Sequence, residues 1–240
     1  MNYNFIDLFC GAGGLSYGFE KVGLNCLAGV DHFKNAIETF KINHKNSIGI
    51  DGDIRKISIK DFKKKIKNKK VHIVCGGPPC QGYSGIGHRR NYFVEKEKIP
   101  SNFLYKEMIK VIKHIEPKGF IFENVRGLLN SKWTKDGQKG EIFNDIKKEF
   151  SKLKNYFFDY QLIQCKDYGV PQNRPRVILV GIRNDQQFKP IKNKIASGLI
   201  PDKTNDYPNP FELLADLIDK NFKDNFITTK YKNSPKTHIQ

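Results

Sequence analysis

Short apolar runs alternate with amphipathic stretches through the first 183 residues, and that alternation predicts an order of strands and helices. Residues 4–9 read as a buried strand and 15–22 as a short helix. A second strand at 26–30 is followed by a second helix at 34–43. The Lys-rich stretch 61–68 predicts a solvated helix, and the β-branched run 71–76 a strand. Over 102–116, Leu104, Met108, Ile109, Val111, Ile112 and Ile115 gather largely on one helical face, and Pro117 stops the helix. A strand at 119–123, a helix at 142–153, an extended segment at 156–164 and an apolar strand at 176–182 complete the series.

Strands alternating with helices predict an α/β domain, a doubly wound and mostly parallel sheet covered on both faces. Ligands of such sheets sit beyond the carboxyl ends of the strands. The residues that invite chemistry fall there, at 9–14, Asp31, 78–84 and 123–125. After Arg183 the pattern weakens. Pro190, Pro201, Pro208 and Pro210 among polar residues over 184–210 predict a linker, 211–218 one helix, and the chain is polar from Asn221. The expected division is therefore one packed domain over 1–183 and a linker with the start of an incomplete second region over 184–240.

Composition narrows the function classes. The 240 residues are 38% hydrophobic and 28% charged, as in globular proteins, with no apolar run of 18 residues, so no membrane span is expected. The amino terminus lacks a basic start followed by a long apolar core, which predicts a cytoplasmic protein, most simply a prokaryotic one, without a secretory signal. The net charge of +17 attracts polyanions, nucleic acid foremost, although a composition rich in Lys, Asn and Ile produces the same number. The five cysteines, Cys10, Cys26, Cys75, Cys80 and Cys165, include no pair with zinc-knuckle or redox spacing. An odd count without a signal points to reduced thiols, so a special cysteine is a nucleophile rather than a staple. No metal is called for.

Asp7-Leu-Phe-Cys-Gly-Ala-Gly-Gly-Leu-Ser16 follows the first strand and opens the first helix, where glycines let backbone approach a ligand. Asp31 closes the second strand 20 positions after Gly11, the offset at which a carboxylate accepts hydrogen bonds from ribose hydroxyls. Ser16 stands where the dinucleotide fingerprint has its third glycine, so the turn signals a nucleoside-containing cofactor of another kind. A bare strand–helix turn has the same signature. Gly52-Asp53-Ile54 offers a carboxylate to an adenine amino group, though Gly-Asp is also ordinary turn chemistry.

The segment Gly76-Gly-Pro-Pro-Cys-Gln-Gly-Tyr-Ser84 follows a buried strand directly. Two prolines stiffen it and glycines flank it, which holds the Cys80 thiol out of the core where ligands bind. A free thiol is only a few per cent thiolate at neutral pH, and His88, Arg89 and Arg90 could raise that fraction. The other four cysteines fit the commoner reading of small buried residues. Glu123 ends a buried strand, where a half-buried carboxylate carries a proton or caps a turn. Arg174 and Arg176 stand two apart at a strand entry and face one side. They could fix Glu123, bind a phosphate, hold a base carbonyl, or lie solvated.

Together Asp7-Leu-Phe-Cys-Gly-Ala-Gly-Gly, Gly52-Asp-Ile, Gly77-Pro-Pro-Cys-Gln-Gly-Tyr-Ser, Glu123-Asn-Val and Gly169-Val-Pro-Gln-Asn-Arg-Pro-Arg resemble the C5-cytosine DNA methyltransferase family, in order and spacing, over about residues 4–183. The resemblance implies a Rossmann-like fold, S-adenosylmethionine as cofactor, and double-stranded DNA as partner. It implies that Phe9 stacks on the cofactor adenine, Asp31 with His32 beside it holds the ribose, and Asp53 with Ile54 meets the adenine. It also implies that Gly11, Ala12, Gly13 and Gly14 cradle the methionine part and that Leu104 touches the cofactor. Cys80 would attack cytosine C6, Glu123 would hold N3 and its proton, Arg174 would orient Glu123, and Arg176 would hold the base carbonyl. The target base must leave the duplex, at a cost of a few kcal/mol that basic surface repays.

The family continues with a variable target-recognition region and a terminal motif that returns to the cofactor, and neither is recognisable here. That departure supports a second reading, a methyltransferase-like binding subunit inert without a second chain. A third is an RNA cytosine-5 methyltransferase, since one branch of the family acts on tRNA. A nicotinamide oxidoreductase explains the glycine turn but neither Cys80 nor Glu123.

Overall fold

In the computed structural model, residues 3–79, 98–186, 200–204 and 209–214 are described. Seven strands form one sheet: β1 (Asn4–Leu8), β2 (Asn25–Asp31), β3 (Ile48–Asp51), β4 (Ile73–Gly76), β5 (Gly119–Val125), β6 (Tyr156–Gln164) and β7 (Pro175–Arg183). The helices are α1 (Gly14–Lys21), α2 (Lys34–Asn43), α3 (Ile59–Lys65), α4 (Tyr105–Ile115), α5 (Glu141–Phe150) and the short α6 (Pro210–Leu213). The strand order is β3-β2-β1-β4-β5-β7-β6. The first five strands pair in parallel and β7 runs antiparallel to β5, so the expected doubly wound, mostly parallel sheet is what forms.

Alternation along the buried strands sends side chains to both faces. Phe5 packs with Cys26, Ile37, Phe40 and Cys75 on one side, while Ile6 and Leu8 join Val30, Val74, Phe120, Phe122 and Met108 on the other. Helices α4 and α5 cover the second face through Met108, Ile112, Ile142, Ile146 and Phe150, all essentially inaccessible. Helix α2 covers the first through Ile37 and Phe40.

Several boundaries moved for identifiable reasons. Helix α3 starts earlier than expected because Ser58 caps it, its hydroxyl accepting from Asp61 N at 3.0 Å. The chain then turns through left-handed Lys67 and Asn68. A 3-10 turn at Pro100–Phe103 precedes α4, and left-handed Glu116 ends it. The predicted pattern had no strand at β3, an edge strand of four residues. The helix expected over 211–218 is seen as α6, and residues from 215 lie outside the described residues.

Contacts divide the chain into a larger unit, residues 1–162 with 176–200, and a smaller one, 163–175 with 201–240. The sequence boundary at 183 differs from this division, because 163–175 belongs with the later residues. Within the smaller unit, Asp167 is buried, its carbonyl accepts from Thr204 N at 2.8 Å, and its carboxylate pairs with Lys203 Nζ at 2.7 Å.

What matters for function is where the sheet reverses its winding, between β1 and β4. Leu8 is in register with Gly76, and Gly76 with Phe122. The glycine turn and the segment leading to Cys80 therefore leave β1 and β4 at the level of Glu123 near the end of β5, the place where such sheets take ligands.

Candidate active site

The glycine turn is held from two sides. Phe9 adopts a left-handed φ of 63°, a strained conformation for a bulky aromatic residue of the kind that clusters at ligand sites. Gly11 N donates to Asp31 Oδ2 at 2.9 Å and Phe33 N to Asp31 Oδ1 at 2.9 Å. Asp31 thus ties the end of β2 to the turn, and each oxygen keeps a lone pair for a ligand hydroxyl. His32 is exposed, with its ring against Phe33. From the other side, Asn43 Nδ2 donates to Ala12 O at 2.9 Å, and His44 Nε2 lies 3.0 Å from Gly13 O.

Asp53 is already engaged: Arg55 Nε and Nη2 reach its two oxygens at 2.9 and 2.5 Å. Those bonds hold the Asp53 carboxyl at about 2, well below the usual carboxylate range. Ile54 lines an apolar recess with Leu8, Val30, Ile57, Phe62 and Val111. Leu104 stands at the start of α4, half-buried against the main core.

Glu123 projects from β5 and meets Arg176 of β7, with Nε 2.7 Å from Oε1. Its other oxygen lies where Gly77 would carry a side chain: a Cβ there would stand 2.7 Å from Oε2. Gly77 is thus a glycine because Glu123 fills that space. Next along the strand, buried Asn124 donates from Nδ2 to Pro78 O at 3.2 Å, which fastens the strand that bears the acid to the segment that leads to Cys80. Cys80 itself, with His88, Arg89 and Arg90, lies outside the described residues. Arg174 is exposed and belongs to the smaller unit, where its carbonyl accepts from Cys165 N at 3.1 Å.

Three of the remaining cysteines have the inert character expected of them. Burial pushes the Cys26 thiol up to about 12, and raises Cys10 and Cys75 further. Such thiols hold negligible thiolate at neutral pH. Asp7, buried on β1 and accepting from Ser16 Oγ at 2.6 Å, is raised by desolvation to about 7.

The model of the C-5 cytosine-specific DNA methylase family matches residues 3–240. The chain belongs to that family. It is 34% identical over 214 residues to a type II methyltransferase, M.DdeI, of Desulfomicrobium norvegicum, covering 89% of this chain and 48% of that protein. With M1.HphI of Haemophilus parahaemolyticus, also named a type II methyltransferase, identity is 33%, covering 75% of this chain and 46% of the relative. The chain thus spans about half the length of these relatives. M.AquIA of Picosynechococcus, another type II methyltransferase, matches at 31% identity over 79% of this chain and 75% of that protein. Among solved structures, an E. coli prophage protein described as a candidate DNA modification methyltransferase superposes with a TM-score of 0.72 at 27% identity, over 91% of this chain and 56% of its own.

Within this methylase family fold, the described residues fit a nucleoside cofactor carrying an amino-acid tail. Gly11 and Gly14 have open space where a side chain would begin, so backbone is accessible there. Asp31 offers carboxylate lone pairs, and the Ile54 recess offers an apolar surface. The methylase residues that sequence reasoning missed are those that hold others in place. Arg55, two positions from Asp53, was legible as an ion-pair partner. Asn43 and His44 carry no local signal, since their partners are 31 positions away. Gly77 and Asn124 lie inside motifs read from the sequence, but their contacts with Glu123 and Pro78, 46 positions away, are not readable there.

Proposed function

We propose that this chain is the catalytic, S-adenosylmethionine-binding part of an enzyme that methylates carbon 5 of cytosine in double-stranded DNA. The observation that carries the reading is the Glu123–Arg176 pair, fixed between Gly77 and Asn124 beside the segment that leads to Cys80. A thiol nucleophile and a positioned carboxyl are the two groups that activation of a cytosine ring needs.

Cytosine C5 is a poor nucleophile. In the proposed cycle the Cys80 thiolate adds to C6 of a flipped-out base and breaks its aromaticity. Glu123 supplies and holds the proton on N3, so the ring electrons collect as an enamine. C5 then takes a methyl group, which the bound cofactor supplies as an electrophilic sulfonium substituent. Loss of the C5 proton and cleavage of the sulfur–C6 bond restore the ring and free Cys80. In this assignment Arg176, with Nε 2.7 Å from Oε1, orients the Glu123 carboxyl, the role that the resemblance gives to Arg174. Asp31, the 11–14 turn and the Ile54 recess hold the cofactor, with Phe9, His32, Asp53 and Leu104 at its margins. Recognition of a DNA sequence is assigned to a further region or a second chain, supported by the half-length match to the relatives.

Incubation with methyl-labelled S-adenosylmethionine and duplex DNA, transfer RNA or no acceptor tests the reading. Label at cytosine C5 of duplex DNA supports it, and label only in RNA replaces it with the RNA reading. Absence of label in all arms, with and without added relatives' recognition regions, reduces the chain to a binding subunit.

A further inference from the structure

We infer that His44 and Asn43, at the carboxyl end of α2, act as positioning residues that brace the cofactor turn without touching the cofactor. The inference rests on the proposal that the 11–14 turn binds S-adenosylmethionine. It begins from a fully buried imidazole whose two nitrogens both face oxygen atoms. Nδ1 lies 2.6 Å from Glu20 Oε2 on α1, and Nε2 lies 3.0 Å from Gly13 O, the carbonyl that precedes α1. A backbone carbonyl can only accept, so Nε2–H donates to Gly13 O, while Nδ1 faces the Glu20 carboxyl. The ring is held in that orientation by Phe40, one turn back, with centroids 4.5 Å apart. The chain beyond is fixed by Ser47 N donating to His44 O at 3.0 Å.

The next residue back does the same job one peptide earlier. Asn43 Nδ2 donates to Ala12 O at 2.9 Å. Two successive carbonyls of the turn are therefore drawn toward α2. Peptide units are planar and trans, so fixing Gly13 O also fixes the Gly14 N–H on the opposite side. A Cβ at Gly14 itself would meet no neighbouring atom within 4 Å. The brace also explains Gly13 twice over: its φ of 93° disfavours a side chain, and a Cβ there would stand 2.0 Å from His44 Nε2. A turn held in its binding shape before the ligand arrives pays less ordering cost on binding. Without the brace, that cost is charged against cofactor affinity.

The test uses the 240-residue chain and calorimetric titration with S-adenosylmethionine, well below the melting temperature of each variant. Asn43 is exposed, so Asn43→Ala should fold normally and bind the cofactor about fivefold more weakly, the usual effect of one lost hydrogen bond. His44→Phe, which keeps the ring but neither hydrogen bond, should lose roughly tenfold or more, with His44→Gln recovering part of it by donating again to Gly13 O. Glu38→Ala, an exposed change on the same helix, should leave affinity unchanged. A merely structural role would lower the melting temperatures of the His44 variants while dissociation constants stayed at the wild-type value, and that result overturns the brace. Should His44→Phe fail to fold, Asn43→Ala decides alone. Wild-type protein that shows no cofactor binding would overturn the cofactor reading and the brace with it; wild-type binding with an unaffected Asn43→Ala would overturn the brace only.

Discussion

Glu123 and Arg176 stand on adjacent antiparallel strands and share a 2.7 Å ion pair that leaves one carboxylate oxygen facing Gly77. If the pair works as a unit, its members should not be separable by mutation. Glu123→Gln should slow single-turnover methylation by roughly 10²–10⁴-fold, the worth of a positioned proton carrier. Arg176→Ala should cost about as much, and the double variant little more than the worse single one. Losses that multiply would show two independent roles, with Arg176 acting on the base and not through the acid.

Gly77→Ala is the sharper probe of geometry. The added carbon would meet the far end of the Glu123 side chain, so the carboxylate must swing aside while the fold need not. The melting temperature should barely change and methylation should fall roughly 10–100-fold, as expected when a reacting group is displaced by about an ångström. A fully active Gly77→Ala protein would mean that Oε2 is not poised at the site of reaction.

Much of this arrangement was legible in the chain, and the boundary of legibility is physical. Helix α2 was predicted over the residues it occupies, because Ile37 and Phe40 recur at helical spacing on its buried side. Asp31 and Glu123 stood out because each follows an apolar run; Asp31 does end β2, whereas β5 runs two residues past Glu123. Strand β3 was missed because only Ile50 of its four residues is buried, which leaves no alternation to read. The pairing of Glu123 with Arg176 was not readable because it depends on β7 entering the sheet antiparallel, which sets Val125 opposite Arg176. Asp53 reads either as an acceptor for an adenine amino group or as ordinary turn chemistry, and its pairing with Arg55, which spans both oxygens, belongs to neither reading and is seen in the fold.

Asp31 carries two duties, so its loss should be costly. Asp31→Ala removes the acceptor proposed for the cofactor ribose and also releases Gly11 N. Losing charge-assisted hydrogen bonds of this kind costs about 1.5–3 kcal/mol, roughly a tenfold to hundredfold loss in S-adenosylmethionine affinity. Calorimetry on the folded variant measures it, and an unchanged dissociation constant would place the ribose elsewhere.

Asp7 makes a prediction about pH. Burial raises its carboxyl from 3.8 to about 7, so the folded protein binds this proton more tightly than the unfolded chain does. The associated stability is fully present below about pH 4 and is lost as pH rises through about 7. Asp7→Asn, which can still accept from Ser16, should remove that dependence. The measurable quantity is the difference in melting temperature between variant and wild type, which should move in favour of the variant between pH 4 and pH 7.5. A difference that stays flat over that range would mean that Asp7 is ionised throughout in the folded state.

The central claim is that Cys80 attacks cytosine C6 while the cofactor turn presents the methyl group. It is tested most directly with duplex DNA carrying 5-fluorocytosine, whose C5 bears no proton to lose after methyl transfer, so that the sulfur–C6 bond cannot be released. Protein, this DNA and S-adenosylmethionine are incubated together, with any recognition region supplied in trans, and the denatured adduct is mapped by peptide mass. The account predicts a cofactor-dependent adduct on the peptide containing Cys80, absent in Cys80→Ser and retained in Cys75→Ser. An adduct on another cysteine, or one that survives Cys80→Ser, would contradict it.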